Sequence, residues 1–424
     1  MRTVLMISRC FPPLLDVGGK RAYHFAKYLP LYGWRAVVLT SPIPAGHPVD
    51  TAAPGLQEGR IERVYHPRWW PQPHLSYTVE RSPIPEAGAT QHLMARLTSI
   101  PIGKDIWLTP RVLRIIGKLA QEEPLDAIFA TSGPTTALLE GWMASKLNGL
   151  PLCLDLRDPW SLNFLQRRKP AWIRAVERRI EHFLFRQANR VIFNSEDASR
   201  AYQALYPQLP RNRITTITNS FDPARQVKRQ PPEGPVTLVH FGNCNGLRSL
   251  ATVIRALARM RDDGLWPTHG MRLLNLGRVR ASDVSLAAAL ELKDAFEYQE
   301  ATAYDQGLAI LGRADLQILL GYGDETLYIP AKTYDYLLTG RPVLCLARPC
   351  VLTECIEQTN AGRVVEPDDV AGAIEVIKAA IAARNGGPPV SVPQADAVSR
   401  YDARYTSAQL ARLLDEIVSE RKTV

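Results

Sequence analysis

Three places in the sequence set a cation where a helix should begin, directly after a short apolar run and a tight loop. Gly18-Gly19-Lys20-Arg21 follows the run Val4 to Ile7. Gly242-Asn243-Cys244-Asn245-Gly246-Leu247-Arg248 follows the run ending at His240-Phe241, and Ile329-Pro330-Ala331-Lys332 follows Leu316 to Leu320. A cation there opposes the helix dipole by roughly 0.3 to 1 kcal/mol, a cost that disappears when an anion docks on the free backbone N–H groups. The arrangement suits a phosphate. Asp335 stands three positions beyond Lys332 on the same helical face, in place to accept hydrogen bonds from ribose hydroxyls. Each piece has a plainer use: a turn at Gly18-Gly19, a surface ion pair at Arg248, a helical ion pair between Lys332 and Asp335. Their shared position at the carboxyl ends of strands in open α/β sheets, where ligands bind, favours the ligand reading.

Absences narrow the chemistry. The chain holds no G-x-G-x-x-G, no G-x-x-x-x-G-K-[ST] and no H-E-x-x-H, so dinucleotide oxidoreductases, P-loop NTPases and zincins find no support. No two aspartates are separated by a single residue, so no D-x-D is present to hold a metal-bound diphosphate. If a nucleoside diphosphate leaves here, protein cations and helix termini must carry its charge.

The elements that would position these residues alternate along the chain. Apolar runs at Val4 to Ile7, Ala36 to Thr40, Ala127 to Ala130, Leu152 to Leu156, Val191 to Phe193 and Ile214 to Ile217 have the length and continuity of buried parallel strands. Helical stretches fall between them. One is expected to start with Thr109 as cap and Pro110 as first helical residue, placing Leu113, Ile116 and Leu119 on one face. A polar, proline-bearing stretch, residues 226–235, then precedes a second series at Val236 to His240, Met271 to Leu276, Leu316 to Leu320 and Val343 to Leu346. The fold class is therefore α/β: two tandem Rossmann-like, doubly wound domains, at 1–225 and 236–395, facing across a cleft. Residues 42–110 carry eleven of the 33 prolines with Trp69, Trp70 and Trp107, the signature of an irregular insertion. Residues 396–424 end in a helix from about Thr406 to Arg421.

At 424 residues, with 46% hydrophobic and 22% charged content, the chain is long enough for two or three cores and is not a disordered or fibrous protein. No apolar run approaches the ~18 residues of a membrane span, and Met1 to Leu15 lacks a signal-peptide layout, so a cytoplasmic location is expected. The six cysteines form no C-x-x-C pair and read as reduced structural thiols. The formal charge of +9 is local. Residues 167–190 hold eight Lys or Arg against Glu177 and Glu181, with Ile173, Val176, Ile180 and Phe183 on one helical stripe. Such a segment either packs on the sheet with its arginines solvated, or rests its arginines and Trp172 on anionic lipid headgroups.

Taken together, Phe11-Pro12-Pro13 with Gly18-Gly19, Asp155-Leu156-Arg157-Asp158-Pro159-Trp160, Phe193-Asn194-Ser195-Glu196, Ile217-Thr218-Asn219-Ser220-Phe221-Asp222, His240-Phe241-Gly242 with Arg248, and Ile329-Pro330-Ala331-Lys332-Thr333-Tyr334-Asp335-Tyr336-Leu337 resemble the GT-B glycosyltransferases of family 4. The resemblance runs in patches over both halves and extends to Tyr401 and the last helix. It implies an acceptor bound mainly by the first domain and a nucleotide sugar by the second, with the final helix crossing back to the first. It also implies metal-independent transfer with retention at the anomeric carbon. Carried over, Arg248 and Lys332 face the donor diphosphate and Asp335 the ribose. Gly18, Gly19, Gly242, Asn243 and Thr333 complete the expected nucleotide-sugar contacts, and neither a metal nor a separate cofactor is expected.

Two positions depart from the family pattern. Many relatives have a glutamate eight positions before Asp335, where this chain has Leu327 with Glu325 out of register. Many have a histidine in the loop that is here Thr131-Ser132-Gly133-Pro134. Asp158 is either a third catalytic residue, binding the acceptor hydroxyl, or a helix cap before Pro159. The expected function is a retaining transfer of sugar from a nucleoside diphosphate sugar to a hydroxyl acceptor such as a lipid-linked or cell-surface glycan precursor, with peripheral contact to anionic membrane through residues 167–190. The alternative is a catalytically inactive nucleotide-sugar- or partner-binding relative. A nucleic-acid partner is not expected, because the cations sit at helix starts and on one amphipathic helix.

Overall fold

The computed structural model describes residues 1–14, 17–43, 59–63, 102–163, 166, 169–225, 227, 230, 233–244, 248–299, 303–321 and 327–422. The chain divides into two compact units, the first containing described residues up to 220 and from 402 onward, the second those from 221 to 401. The passages lie a few residues from the expected 225 and 395. Phe221 is buried in the second core and its N–H donates to the Tyr401 carbonyl at 2.9 Å, which holds both passages to the second unit.

The first unit is built on a seven-stranded sheet, β1 (Arg2–Ile7), β2 (Trp34–Thr40), β3 (Gly59–Arg63), β4 (Ala127–Thr131), β5 (Leu152–Leu156), β6 (Arg190–Phe193) and β7 (Ile214–Thr216), in spatial order β3-β2-β1-β4-β5-β6-β7 with parallel pairing throughout. The apolar strands are buried on both faces because helices cover both. These helices are α1 (Val17–Tyr28), α2 (Thr109–Glu122), α3 (Thr136–Asn148), α4 (Ala171–Gln187) and α5 (Glu196–Leu205). β3 was not expected: it falls in the stretch read as an irregular insertion, and Gly-Arg-Ile-Glu-Arg offers one apolar residue because an edge strand buries little. Trp69 and Trp70 lie outside the described residues. In α2, Thr109 is itself helical, with no side-chain cap, and Val112 rather than Leu113 joins Ile116 and Leu119 on the buried face.

The second unit repeats the plan with β8 (Val236–Phe241), β9 (Met271–Leu276), β10 (Phe296–Gln299), β11 (Leu316–Leu320), β12 (Val343–Leu346) and β13 (Gly362–Val365), ordered β10-β9-β8-β11-β12-β13 and again parallel. Its helices include α6 (Ala251–Asp262), α7 (Ala281–Ala289), α8 (Tyr304–Leu311), α9 (Lys332–Thr339), α10 (Val351–Thr359) and α11 (Val370–Arg384). After α11 the chain turns through Gly386-Gly387-Pro388-Pro389 to the short α12 (Ala395–Ser399). The last helix, α13 (Ala403–Lys422), belongs to the first unit, where Leu410, Leu414 and Ile417 share a core with Phe25, Ala26 and Leu29 of α1 and its continuation. Asp415 accepts from the Trp34 indole at 2.9 Å, and Glu420 pairs with Arg190 at 2.5 Å, fixing the register of α13 on the unit.

Candidate functional site

In each sheet the strand order reverses once, between β1 and β4 and between β8 and β11, and connections leaving such a point in opposite directions open a crevice at the carboxyl ends of the strands. At the second of these points β8 runs into Gly242, whose φ of +128° favours glycine. Lys332, the first residue of α9, brings its Nζ to 2.7 Å from His240 Nε2, and a Cβ on Gly242 would stand 2.9 Å from that Nζ. Gly277, at φ +136°, lets the loop after β9 close on the same place: its Cβ would lie 2.7 Å from the Gly242 carbonyl. Asn243 locks the two loops, its Oδ1 accepting from the Arg278 N–H at 2.9 Å.

Four backbone N–H groups at this point are already engaged within the protein. The N–H groups of Gly242 and Cys244 donate to Leu276 and Arg278 carbonyls at 2.7 and 2.8 Å, and those of Thr333 and Tyr334 to Pro330 and Ala331 at 2.9 and 3.2 Å. The expectation of free N–H groups is corrected for these four, because β9 and the loop after it take the first two and the turn leading into α9 takes the others. Burial, and after it the Arg248 guanidinium, pushes the Lys332 ammonium down to about 7. Lys332 as a whole is half-buried. Arg248 stands in the loop three residues ahead of α6 rather than in its first turn. Thr333 is fully buried, and its hydroxyl has no hydrogen-bond partner among the described residues. Asp335 is buried and accepts a hydrogen bond from the Tyr304 hydroxyl, while Arg225 lies over the Tyr304 ring at 4.6 Å. Leu327 is half-buried, and Glu325 lies outside the described residues.

In the first unit Gly18 and Gly19 form no turn; they lie in the first turn of α1. A Cβ on Gly19 would come to 3.2 Å from Phe11 backbone atoms, so this glycine lets α1 start against the loop after β1. The Gly18 carbonyl accepts from Arg157, a residue the sequence reading passed over. Arg157 also donates through Nε to the Ser132 carbonyl at 2.7 Å, and Gly133 has no room for a side chain because a Cβ would fall 1.7 Å from Arg157 Nη2. The guanidinium thus joins the loops after β1, β4 and β5. Its place between Asp155 and Asp158 at a strand end was the available signal.

Arg21 faces a protein carboxylate instead of a ligand anion. It is buried against Asp155 at 2.7 Å and donates to the carbonyls of Ile217 and Thr218 at 2.8 and 2.7 Å, with Thr131 completing the Asp155 carboxylate at 2.7 Å. A buried guanidinium requires such a shell, which consumes the cation expected at the first helix start. Asp158 caps no helix, since α4 begins only at Ala171, and its carboxylate has no hydrogen bond among the described residues. Surrounding protein raises its carboxyl, with Arg157 opposing, and the exposure of the side chain screens both effects.

Residues 18–220 match the family model of the glycosyl transferase 4-like domain, ending where the chain first passes from the first unit to the second. Over those residues the chain is similar to a glycosyl transferase 4-like domain, and its fold is the GT-B fold. Against curated proteins the sequence shows no match. Among solved structures, the sucrose-phosphate synthase of Thermosynechococcus elongatus superposes with a TM-score of 0.65 at 14% identity, over 99% of this chain and 100% of that one. HepE of Anabaena, solved with UDP-glucose, gives 0.63 at 17% identity over 98% and 100%. WaaG, a glycosyltransferase involved in lipopolysaccharide biosynthesis, gives 0.52 at 16% over 99% and 98%. At these identities the likeness is one of fold.

The basic segment at 167–190 is arranged differently from the expected stripe. Its two acids face inward: Glu177 takes Lys169 at 2.7 Å, and Glu181 takes Ser161 Oγ at 2.6 Å with the Tyr202 and Tyr206 hydroxyls at 3.1 and 2.7 Å. Ile173 is buried beside them, whereas Phe183 is 42% exposed and Trp172 62%. Trp172, Arg179, Phe183 and Arg186 therefore share the outer face of α4. Arg190 leaves the basic surface, because it lies in β6 and pairs with Glu420. Arg167 and Arg168 lie outside the described residues. Among the described residues no helix is long and apolar enough to cross a membrane.

Proposed function

We propose that this protein is a retaining glycosyltransferase that moves a sugar from a nucleoside diphosphate sugar to a hydroxyl acceptor without a metal ion. The observation that carries the reading is Lys332: its ammonium is held at the strand-order reversal beside Gly242, with the Arg248 charge close enough to depress it. Two cations in a partly buried loop site repel each other until an anion arrives, and a diphosphate that gains charge as its bond to the sugar breaks relieves both. The bond between the anomeric carbon and the β-phosphate oxygen breaks, the acceptor oxygen bonds to that carbon on the same face, and the departing phosphate oxygen takes the acceptor proton. Such a step needs no strong protein base, and Asp158 in the first unit binds the acceptor hydroxyl. Asp335, positioned by Tyr304, binds the ribose of the donor. The UDP-glucose of HepE supports this class of donor. Lys332→Ala is expected to abolish transfer in an assay of product formation with EDTA present. NMR of the product should show the anomeric configuration of the donor; full turnover in the variant or an inverted product overturns the reading.

The acceptor we propose is lipid-linked, reached from an anionic membrane surface on which α4 lies. The pairing of exposed Trp172 and Phe183 with Arg179 and Arg186 supports it, since aromatic rings settle among headgroups while guanidinium groups meet their phosphates. Leu327, where many family members have a glutamate, supports a second reading, a donor-binding protein without catalysis. Donor binding with neither transfer nor slow donor hydrolysis across a broad acceptor set would select it.

A further inference from the structure

His240 and Asn275 are both fully buried polar residues directly opposite each other on β8 and β9, at the end of the sheet where Lys332 arrives. Leucine or valine would fill such positions at less cost, because a buried polar group is destabilising unless it is hydrogen-bonded. Their shortest bonds run in sequence, with the Cys244 Sγ 3.7 Å from both His240 Nδ1 and Asn275 Oδ1. Asn275 Nδ2 donates to the Gly277 carbonyl at 2.6 Å, which turns Oδ1 toward His240 Nδ1 at 2.5 Å. Since an amide oxygen only accepts, Nδ1 carries the proton and Nε2 of the neutral ring is bare. Nε2 is the atom 2.7 Å from Lys332 Nζ. An ammonium has three N–H donors, so one bond to the imidazole leaves others to point outward.

We propose that His240, oriented by Asn275, is a positioning residue that accepts a hydrogen bond from Lys332 and so aims its ammonium at the donor diphosphate. The inference rests on the reading of Lys332 as a phosphate ligand. The geometry restrains the lysine from two sides: the imidazole holds Nζ, and the Gly242 backbone lies so near that even a methyl group there would come to 2.9 Å. The neighbouring charges agree with the assigned tautomer. Arg248 and Lys332 itself, on top of burial, keep the imidazole neutral. Asp335 is the charged group near Lys332 that favours its ammonium, and Asp283 and Arg280 act on Cys244 with opposite sign. The Cys244 thiol stays protonated, burial pushing it up to about 12.

The test uses the full chain and calorimetry with whichever of UDP, GDP, ADP and dTDP binds the wild type, compared with the matching nucleoside. His240→Asn keeps a donor for Asn275 but falls short of Lys332, while the longer His240→Gln can present an oxygen to it. We expect His240→Asn to weaken the diphosphate about tenfold, the scale of one charge-assisted hydrogen bond, and the nucleoside less than about twofold. His240→Gln is expected to recover most of that loss. Equal weakening of nucleoside and diphosphate, or no recovery with glutamine, assigns His240 to packing and overturns the inference alone. Unchanged diphosphate affinity in Lys332→Ala overturns the phosphate reading and the inference with it. A measurement on the wild type stands apart from any folding defect: the imidazole 15N shifts of His240 should show Nδ1 protonated and Nε2 bare, and the opposite tautomer contradicts the proposal.

Discussion

A lysine whose ammonium sits among protein atoms beside a second cation is a destabilising feature until a ligand neutralises it. In the unfolded chain Lys332 keeps its proton up to its ordinary 10.5, whereas in the folded chain it gives the proton up near 7. Between those values the unfolded state binds more protons, so stability rises with pH; below 7 the cost of the buried charge is present in full. Lys332→Met should therefore be more stable than the wild type at pH 6, with the advantage shrinking by up to about 1.4 kcal/mol per pH unit between pH 7 and 10. Urea midpoints at pH 6 and pH 9 check this, and an identical gap at both would mean the ammonium is solvated. The position of Lys332 was legible from its run, loop and helix start. The opposite fate of Arg21 was not, because the aspartate that consumes it lies 134 residues away in sequence and only the pairing of β1, β4 and β5 brings it near. His240 and Asn275 were hidden for the same reason, as their meeting is a matter of strand register.

Elements with a strong apolar signal were the ones sequence could place. β1, β5 and β11 are short, continuous runs with helices on both sides, whereas β3, β10 and β13 are edge or near-edge strands with polar residues such as Arg60, Glu297 and Arg363. The face of α4 was misjudged because spacing alone does not reveal that Glu177 and Glu181 find buried partners and so occupy the inner side. Ile173 stays inside and Val176 and Ile180 are half-buried, so of the expected stripe only Phe183 turns outward, to join Trp172, Arg179 and Arg186. Replacing Trp172 with Ser together with Arg179→Glu should lower partition onto phosphatidylglycerol-rich vesicles by about tenfold or more, since each cation near such a surface contributes about 1 kcal/mol. Stability should change by less than about 0.5 kcal/mol per exposed site. Sedimentation with vesicles decides it: equal partition of variant and wild type would remove α4 from any membrane role.

The whole chain uses one plan twice, a parallel sheet whose order reverses beside its first strand, and each unit closes its own core. That repetition was readable from the alternation of runs and the second start at Val236. The return of the final helix to the first unit came from family resemblance, since nothing in its own sequence says which core its apolar face will join. In this account the second unit holds the donor and the first the acceptor, so the most direct test is donor binding itself. Thermal unfolding would be followed with UDP, GDP, ADP and dTDP in EDTA, for the wild type and Lys332→Ala. Ligand at 100 times its dissociation constant adds about 2.7 kcal/mol, an easily resolved shift. A shift with one nucleotide that vanishes in the variant is the predicted result. No shift with any of the four, or a shift that survives the loss of Lys332, would contradict the assignment of this site.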